Sequence, residues 1–198
     1  MDTRQQLIEA AKALLWERGF EAMSPRSVLE RSGAGQGSLY HHFTGKQELA
    51  QAALNETADA FCARLEQDLP PALGPLERVR FWLQQPREAL KGCRMGRMAA
   101  ELAIREPAIR QPVARYFAAL NGRLAAALQE AIAAGDLPAE LDAADLAAAL
   151  AATVQGGYVL ARTGNDAKAM QRATRGALAL LEVAAARPAR RRKTEKPS

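Results

Sequence analysis

Aromatic side chains are scarce in this chain, at 5% of its 198 residues, whereas alanine is abundant. Few large rings and many small side chains favour long, closely packed helices over sheets. No stretch alternates in the manner of a strand bounded by hairpin turns. Cysteine is nearly absent: Cys62 and Cys93 are too few for a disulfide framework or a cysteine-based zinc site. There is no uninterrupted apolar run of about 18 residues, so neither a membrane-spanning helix nor a membrane partner is expected. The opening residues Met1 to Gln6 are polar and lack a signal-peptide pattern, which makes a cytoplasmic protein the expectation. Catalytic signatures are missing as well. The chain has no phosphate-cradling glycine loop with a lysine, no HExxH, and no serine–histidine pair in a strand–turn context. His41 and His42 are neighbours, about 100° apart on a helix and without a nearby third ligand. Neither an enzyme, nor a cofactor, nor a metal is expected.

The charge that is present is unevenly placed. The formal net charge is +5, and from Arg187 onward six basic side chains stand against Glu195, which equals that whole excess. The body of the chain is therefore close to neutral. Residues 187–198 read as a basic disordered tail, either solubilising or adding non-specific attraction to phosphates.

The segment from Ser24 to Phe43 is the most informative. It reads as a short helix, a glycine turn and a second short helix, the pattern of a helix-turn-helix whose second helix enters the DNA major groove. Ser24 can cap the first helix and Pro25 fits its first position. Val28 and Leu29 are that helix's apolar contacts. Gly33 can take the positive φ needed where it stops. Gly35 stands at the cap position of the second helix. Gln36, Gly37 and Ser38 form a small polar first turn that lets backbone and side chains approach phosphates and base edges. Leu39 and Phe43 are an i, i+4 pair on the inner face.

The run Gly33-Ala34-Gly35-Gln36-Gly37-Ser38-Leu39-Tyr40-His41-His42-Phe43, followed by Gly45-Lys46-Gln47-Glu48-Leu49, resembles the DNA-binding signature of TetR-family transcriptional regulators. Upstream, Leu7-Ile8-Glu9-Ala10-Ala11 and Gly19-Phe20 match that family's first helix and its end. The family commonly has a hydroxyl residue where this chain has Gly35, and often a basic one where it has Gln36. The resemblance implies an all-α fold of about nine helices: a three-helix helix-turn-helix head, then a helical core for dimerisation and effector binding. It also implies that Tyr40 and His41 touch DNA, chiefly its phosphates, with Lys46 acting as a point charge. Arg26, Gln36, Gly37 and Ser38 complete the candidate DNA-binding set.

Helical periodicity continues through the rest of the chain. Thr3 to Arg18 is a helix, with Leu7, Ala11, Leu14 and Leu15 on one stripe. Lys46 to about Asp68 is a long helix stopped by Pro70-Pro71. Leu76, Val79 and Leu83 give the next one its face. A segment from Met95 to Arg105 is followed by a long helix predicted from Pro112 to Ala134. Gly135 to Pro138 is a turn, Asp142 can cap a helix running to about Arg162, and Asn165 or Asp166 can cap the last. The domain boundary is expected near residue 50, inside the fourth helix: 1–49 to bind DNA, 50–186 to bind effector and dimerise. The last two helices are alanine-rich and suit a four-helix bundle across a two-fold axis. The resemblance implies that pairing, and Ala177 is expected in its seam.

Trp82, Cys93, Met98, Tyr116, Phe117 and Tyr158 are candidates to line an effector pocket, because large apolar side chains with a few polar tips suit such a cavity; ordinary core packing is the alternative. Cys93 stands between Lys91-Gly92 and Arg94-Met95-Gly96, which resembles a glycine–cysteine–glycine segment in one TetR subgroup. Nearby cations would favour its thiolate and suit an electrophile or oxidant sensor, whereas a small residue at a helix start needs no such role. The expected function is a homodimeric repressor that binds double-stranded operator DNA and is released by a small-molecule effector. A switch at Cys93 is the alternative signal. An all-α enzyme or ligand carrier is the alternative class.

Overall fold

The computed structural model describes residues 2–186, and the tail expected at 187–198 lies outside them. Among the described residues there are nine α-helices and no strands: α1 (Thr3–Arg18), α2 (Pro25–Ser32), α3 (Gln36–His42), α4 (Lys46–Asp68), α5 (Pro75–Gln84), α6 (Arg94–Ala99), α7 (Pro107–Ala134), α8 (Ala143–Thr163) and α9 (Lys168–Ala185). A 3-10 turn, Leu102–Arg105, joins α6 to α7.

Local chemistry sets most of these boundaries. Asp2 caps α1 by accepting from the Gln5 N–H at 2.7 Å. Ser24 and Ser27 cap α2 reciprocally: Ser24 Oγ accepts from the Ser27 N–H at 3.1 Å, and Ser27 Oγ accepts from the Ser24 N–H at 3.0 Å. Gly33 then ends α2 with φ +70°, a left-handed conformation that a side chain would strain. Ser24→Ala is expected to destabilise the head by about 1 kcal/mol, read as a lowered unfolding midpoint in denaturant. Asp142 Oδ1 accepts from the Ala144 and Asp145 N–H groups ahead of α8. Asp166, one residue ahead of the N-cap Ala167, accepts from the Lys168 N–H at 2.9 Å at the start of α9.

The segment expected from Met95 to Arg105 divides into two elements: α6 stops at Ala99 and the chain tightens into the 3-10 turn. The seventh helix begins at Pro107 rather than Pro112. Pro107 occupies its first turn, where no N–H is needed, and Pro112 lies inside, buried, at the cost of one backbone hydrogen bond.

The buried apolar residues form two clusters. One joins α1, α2 and α3 to the first part of α4, and continues without a break into Met95 and Met98 of α6 and Ile109 and Val113 of α7. The other unites Leu65 of α4 with α5, the rest of α7, α8 and α9. Two long helices, α4 and α7, thus cross from one cluster to the other. Packing of α8 on α9 is close: a Cβ at Gly157 would stand 2.8 Å from Met170 Sδ and 3.3 Å from the Ala173 Cβ. By length and composition α8 is apolar enough to cross a bilayer, which the sequence reading did not anticipate. Part of that apolar surface packs inside the protein, and Val159 and Leu160 remain exposed on it.

Candidate nucleic-acid interface and ligand cavity

The head presents α3 on its surface. Leu39 is fully buried and Phe43 nearly so, and these two anchor the helix against the interior. The opposite side carries Gln36, Gly37, Tyr40 and His41, all exposed, with Ser38 half-buried beside them. Tyr40 is 64% exposed, far more than a phenol with a packing role needs. Gly35 caps α3 without any side-chain hydrogen bond, so the first turn meets solvent with only small groups around it. The His41 and His42 rings meet edge to face at 4.8 Å.

The basic residues of the head are partly engaged. Arg26 is exposed but bonds Glu30 at 2.8 Å. Lys46 is less free than the sequence implied. Its ammonium lies 4.3 Å from the centre of the Phe20 ring and donates to the Glu21 carbonyl at 3.3 Å, which ties the start of α4 to the α1–α2 loop. Ahead of α4, the Thr44 N–H and hydroxyl both donate to Glu48 at 2.7 Å, and these bonds hold the Glu48 carboxyl below its ordinary value.

This three-helix head, followed by a purely helical core, matches known families over most of its length. The model for bacterial regulatory proteins of the tetR family covers residues 7–53. The model for the tetracyclin repressor-like C-terminal domain covers residues 76–177, more than half of the chain. The chain belongs to the TetR family of transcriptional regulators. It is 32% identical to the HTH-type transcriptional regulator TtgR of Pseudomonas putida over 78% of each chain. It is 27% identical to the uncharacterized regulator YxaF of Bacillus subtilis, over 83% of this chain and 87% of that one. Among solved structures, a regulatory protein TetR from Rhodobacter sphaeroides superposes with a TM-score of 0.77 at 26% identity, over 87% of this chain and 95% of that one. This TetR-family chain is accordingly a helix-turn-helix DNA-binding transcriptional regulator.

In the core of this TetR-family protein, a cavity of about 390 Å³ opens between α4, α5, α7, α8 and the segment before α6. Four of the six pocket candidates from the sequence line it: Trp82, Cys93, Tyr116 and Tyr158. The other two do not. Met98 is completely buried in the cluster shared with the head, because its side of α6 faces inward. Phe117 packs against the same cluster; its ring touches Tyr116 at 5.1 Å but is not part of the wall. Burial raises both phenols above the ordinary tyrosine value, Tyr158 to about 12. Cys93 is the N-cap of α6, half-buried, its Sγ accepting from the Gly96 N–H at 3.3 Å.

Sequence reasoning missed the charged part of this wall, above all Arg87. Its guanidinium donates to the carbonyls of Trp82, Leu83 and Gln85 at the end of α5, and stacks over the Trp82 ring at 5.2 Å. Burial pushes Arg87 below the ordinary arginine value. An arginine three residues beyond a helix end is a detectable capping signal, but its place in a cavity wall depends on how α5 packs on α7.

The cavity is linked physically to the head. Trp16 of α1 lines it and donates its indole N–H to the Gly92 carbonyl at 3.1 Å, just ahead of α6. Beyond α6, Glu101 accepts from the Glu21 N–H at 3.2 Å in the α1–α2 loop. Both ends of the α6 segment therefore touch the DNA-binding head.

Proposed function

We propose that this protein is a homodimeric repressor of the TetR family, released from operator DNA when a small molecule occupies the core cavity. In this reading residues 1–49 bind DNA and 50–186 dimerise and bind the effector. Gln36, Gly37 and Ser38 meet base edges, while Tyr40, His41 and Arg26 contact phosphates. Lys46 is reserved for the loop it braces until DNA draws it out. The observation that carries the reading is the outward face of α3, where an exposed Tyr40 stands beside a first turn with no bulk.

Release is a shift of population between two forms. A ligand that fits the cavity better when the two heads are misplaced lowers operator affinity by its difference in affinity for those forms. The Trp16–Gly92 and Glu101–Glu21 contacts supply the mechanical connection from cavity to head. A soluble, cytoplasmic protein fits this role.

Selection of bound fragments from a random DNA pool tests the assignment. A palindrome is expected, its half-site centres about one helical turn or a multiple apart. Tyr40→Ala should weaken binding to every sequence alike. Gln36→Ala should change the base preferred at one position of each half-site, by roughly 1–3 kcal/mol. If Gln36→Ala leaves both affinity and the selected motif as they were, its role as a base reader is wrong.

A further inference from the structure

The core cavity contains a half-buried cation with no anion to match it. Five charged side chains line the wall: Arg64, Arg87, Arg94, Asp68 and Glu88. Both carboxylates are already engaged. Asp68 pairs with Arg64 at 3.1 Å and Glu88 with Lys91 at 2.6 Å. Arg94 rests on the Trp16 ring at 4.0 Å. Arg87 has no carboxylate within ion-pair distance among the described residues, and three of its N–H donors go to backbone carbonyls. A guanidinium has five such donors, so two remain. The carbonyls at the end of α5 offset part of its charge, but neutral acceptors do not match a cation as an anion does. The Tyr116 and Tyr158 hydroxyls border the same space and make no hydrogen bond among the described residues, so each can donate. The rest of the wall mixes the rings of Trp16, Phe61 and Trp82 with Leu120, Val154 and Gln155.

From this arrangement we infer that the effector is a small carboxylate with a flat apolar body, its charge received by Arg87 and the two phenols and its body held among the aromatic rings. The inference rests on the cavity being the effector site. An amine or quaternary ammonium is disfavoured because neither carboxylate is free to receive it. The volume of about 390 Å³ suits a one- or two-ring acid.

Benzoate and cinnamate are the probes, with benzamide, cinnamamide and benzylamine as matched neutral and cationic controls. Binding to the full-length protein is read by thermal shift and by quenching of Trp16 and Trp82 fluorescence; operator release is read separately by fluorescence anisotropy. At millimolar concentration the two acids should raise the unfolding temperature and release the operator, and the amides and the amine should do neither. Arg87→Lys keeps the charge but loses the planar fork, and should weaken acid binding about tenfold. Because Arg87 also ties down the end of α5, Tyr158→Phe serves as the second variant. It leaves Arg87 and its helix-end bonds in place and should weaken binding of the acids severalfold. Amides binding as tightly as the acids, benzylamine binding more tightly, or no binding of either acid to folded protein would each overturn the inference. Failure of the ligand-free protein to bind any operator would instead count against the repressor reading, and leaves the thermal-shift comparison intact.

Discussion

Leu180→Arg is expected to convert the protein from a dimer to a monomer while each protomer stays folded. Eight large apolar side chains are exposed among the described residues, and four of them, Val159, Leu160, Leu180 and Val183, lie on α8 and α9. Leu180 is the most exposed of all at 74% and Val183 follows one turn later, so an apolar face of the last two helices is left without a partner inside the protomer. Covering it with a second copy removes that surface from water, and a guanidinium there would be buried without a counter-charge. Sedimentation should show a monomer at micromolar concentration. Affinity for a two-half-site operator should fall by about a hundredfold or more, because the two heads no longer bind as a linked pair. A variant that remains a dimer would rule out this face as the seam. Ala177, the seam residue expected from the sequence, is unsuitable for the test. It is buried within the protomer, and an arginine there would break α8–α9 packing rather than dimerisation.

A second large effect is expected at Leu39→Ala. Leu39 is completely buried, and α3 has seven residues and no side-chain cap. A helix that short has no stability of its own and depends on what its buried face touches. Truncation should cost about 2–5 kcal/mol, concentrated in the head. Hydrogen exchange should quicken in α2 and α3, operator binding should disappear, and sedimentation should still report a dimer. Unchanged exchange in α3 together with full operator affinity would show that Leu39 does not hold the reading helix.

The beginnings and ends of helices were legible in the sequence because the interactions that set them are local. Ser24, Gly33, Asp142 and Asp166 act on backbone groups within a few residues, so their identity and spacing announce their role. Helix α3 was legible for the same reason: its buried and exposed sides alternate within one short segment. Pro112 misled because proline opposes a helix only by local cost, and that cost is offset where the first turn starts earlier, at Pro107, and burial favours continuing.

Contacts between distant segments were another matter. Met98 and Phe117 were expected in the pocket wall and Ala177 in the dimer seam, yet all three lie in or against the apolar clusters inside the protomer. Which interior each one faces depends on the crossing of α4 and α7 between the two clusters, and no local pattern encodes that. Arg87 is the clearest case. By sequence alone it is one of 27 basic residues; tertiary packing half-buries it in the cavity wall and leaves it without a carboxylate in ion-pair distance among the described residues. By itself, then, the sequence determined most helix boundaries, the helix-turn-helix head and the family, because caps, turns and periodicity are short-range. Only the tertiary structure decided which side chains wall the cavity, which apolar face stays open and where a charge stands unmatched, because those properties arise when surfaces far apart in the chain exclude water from one another.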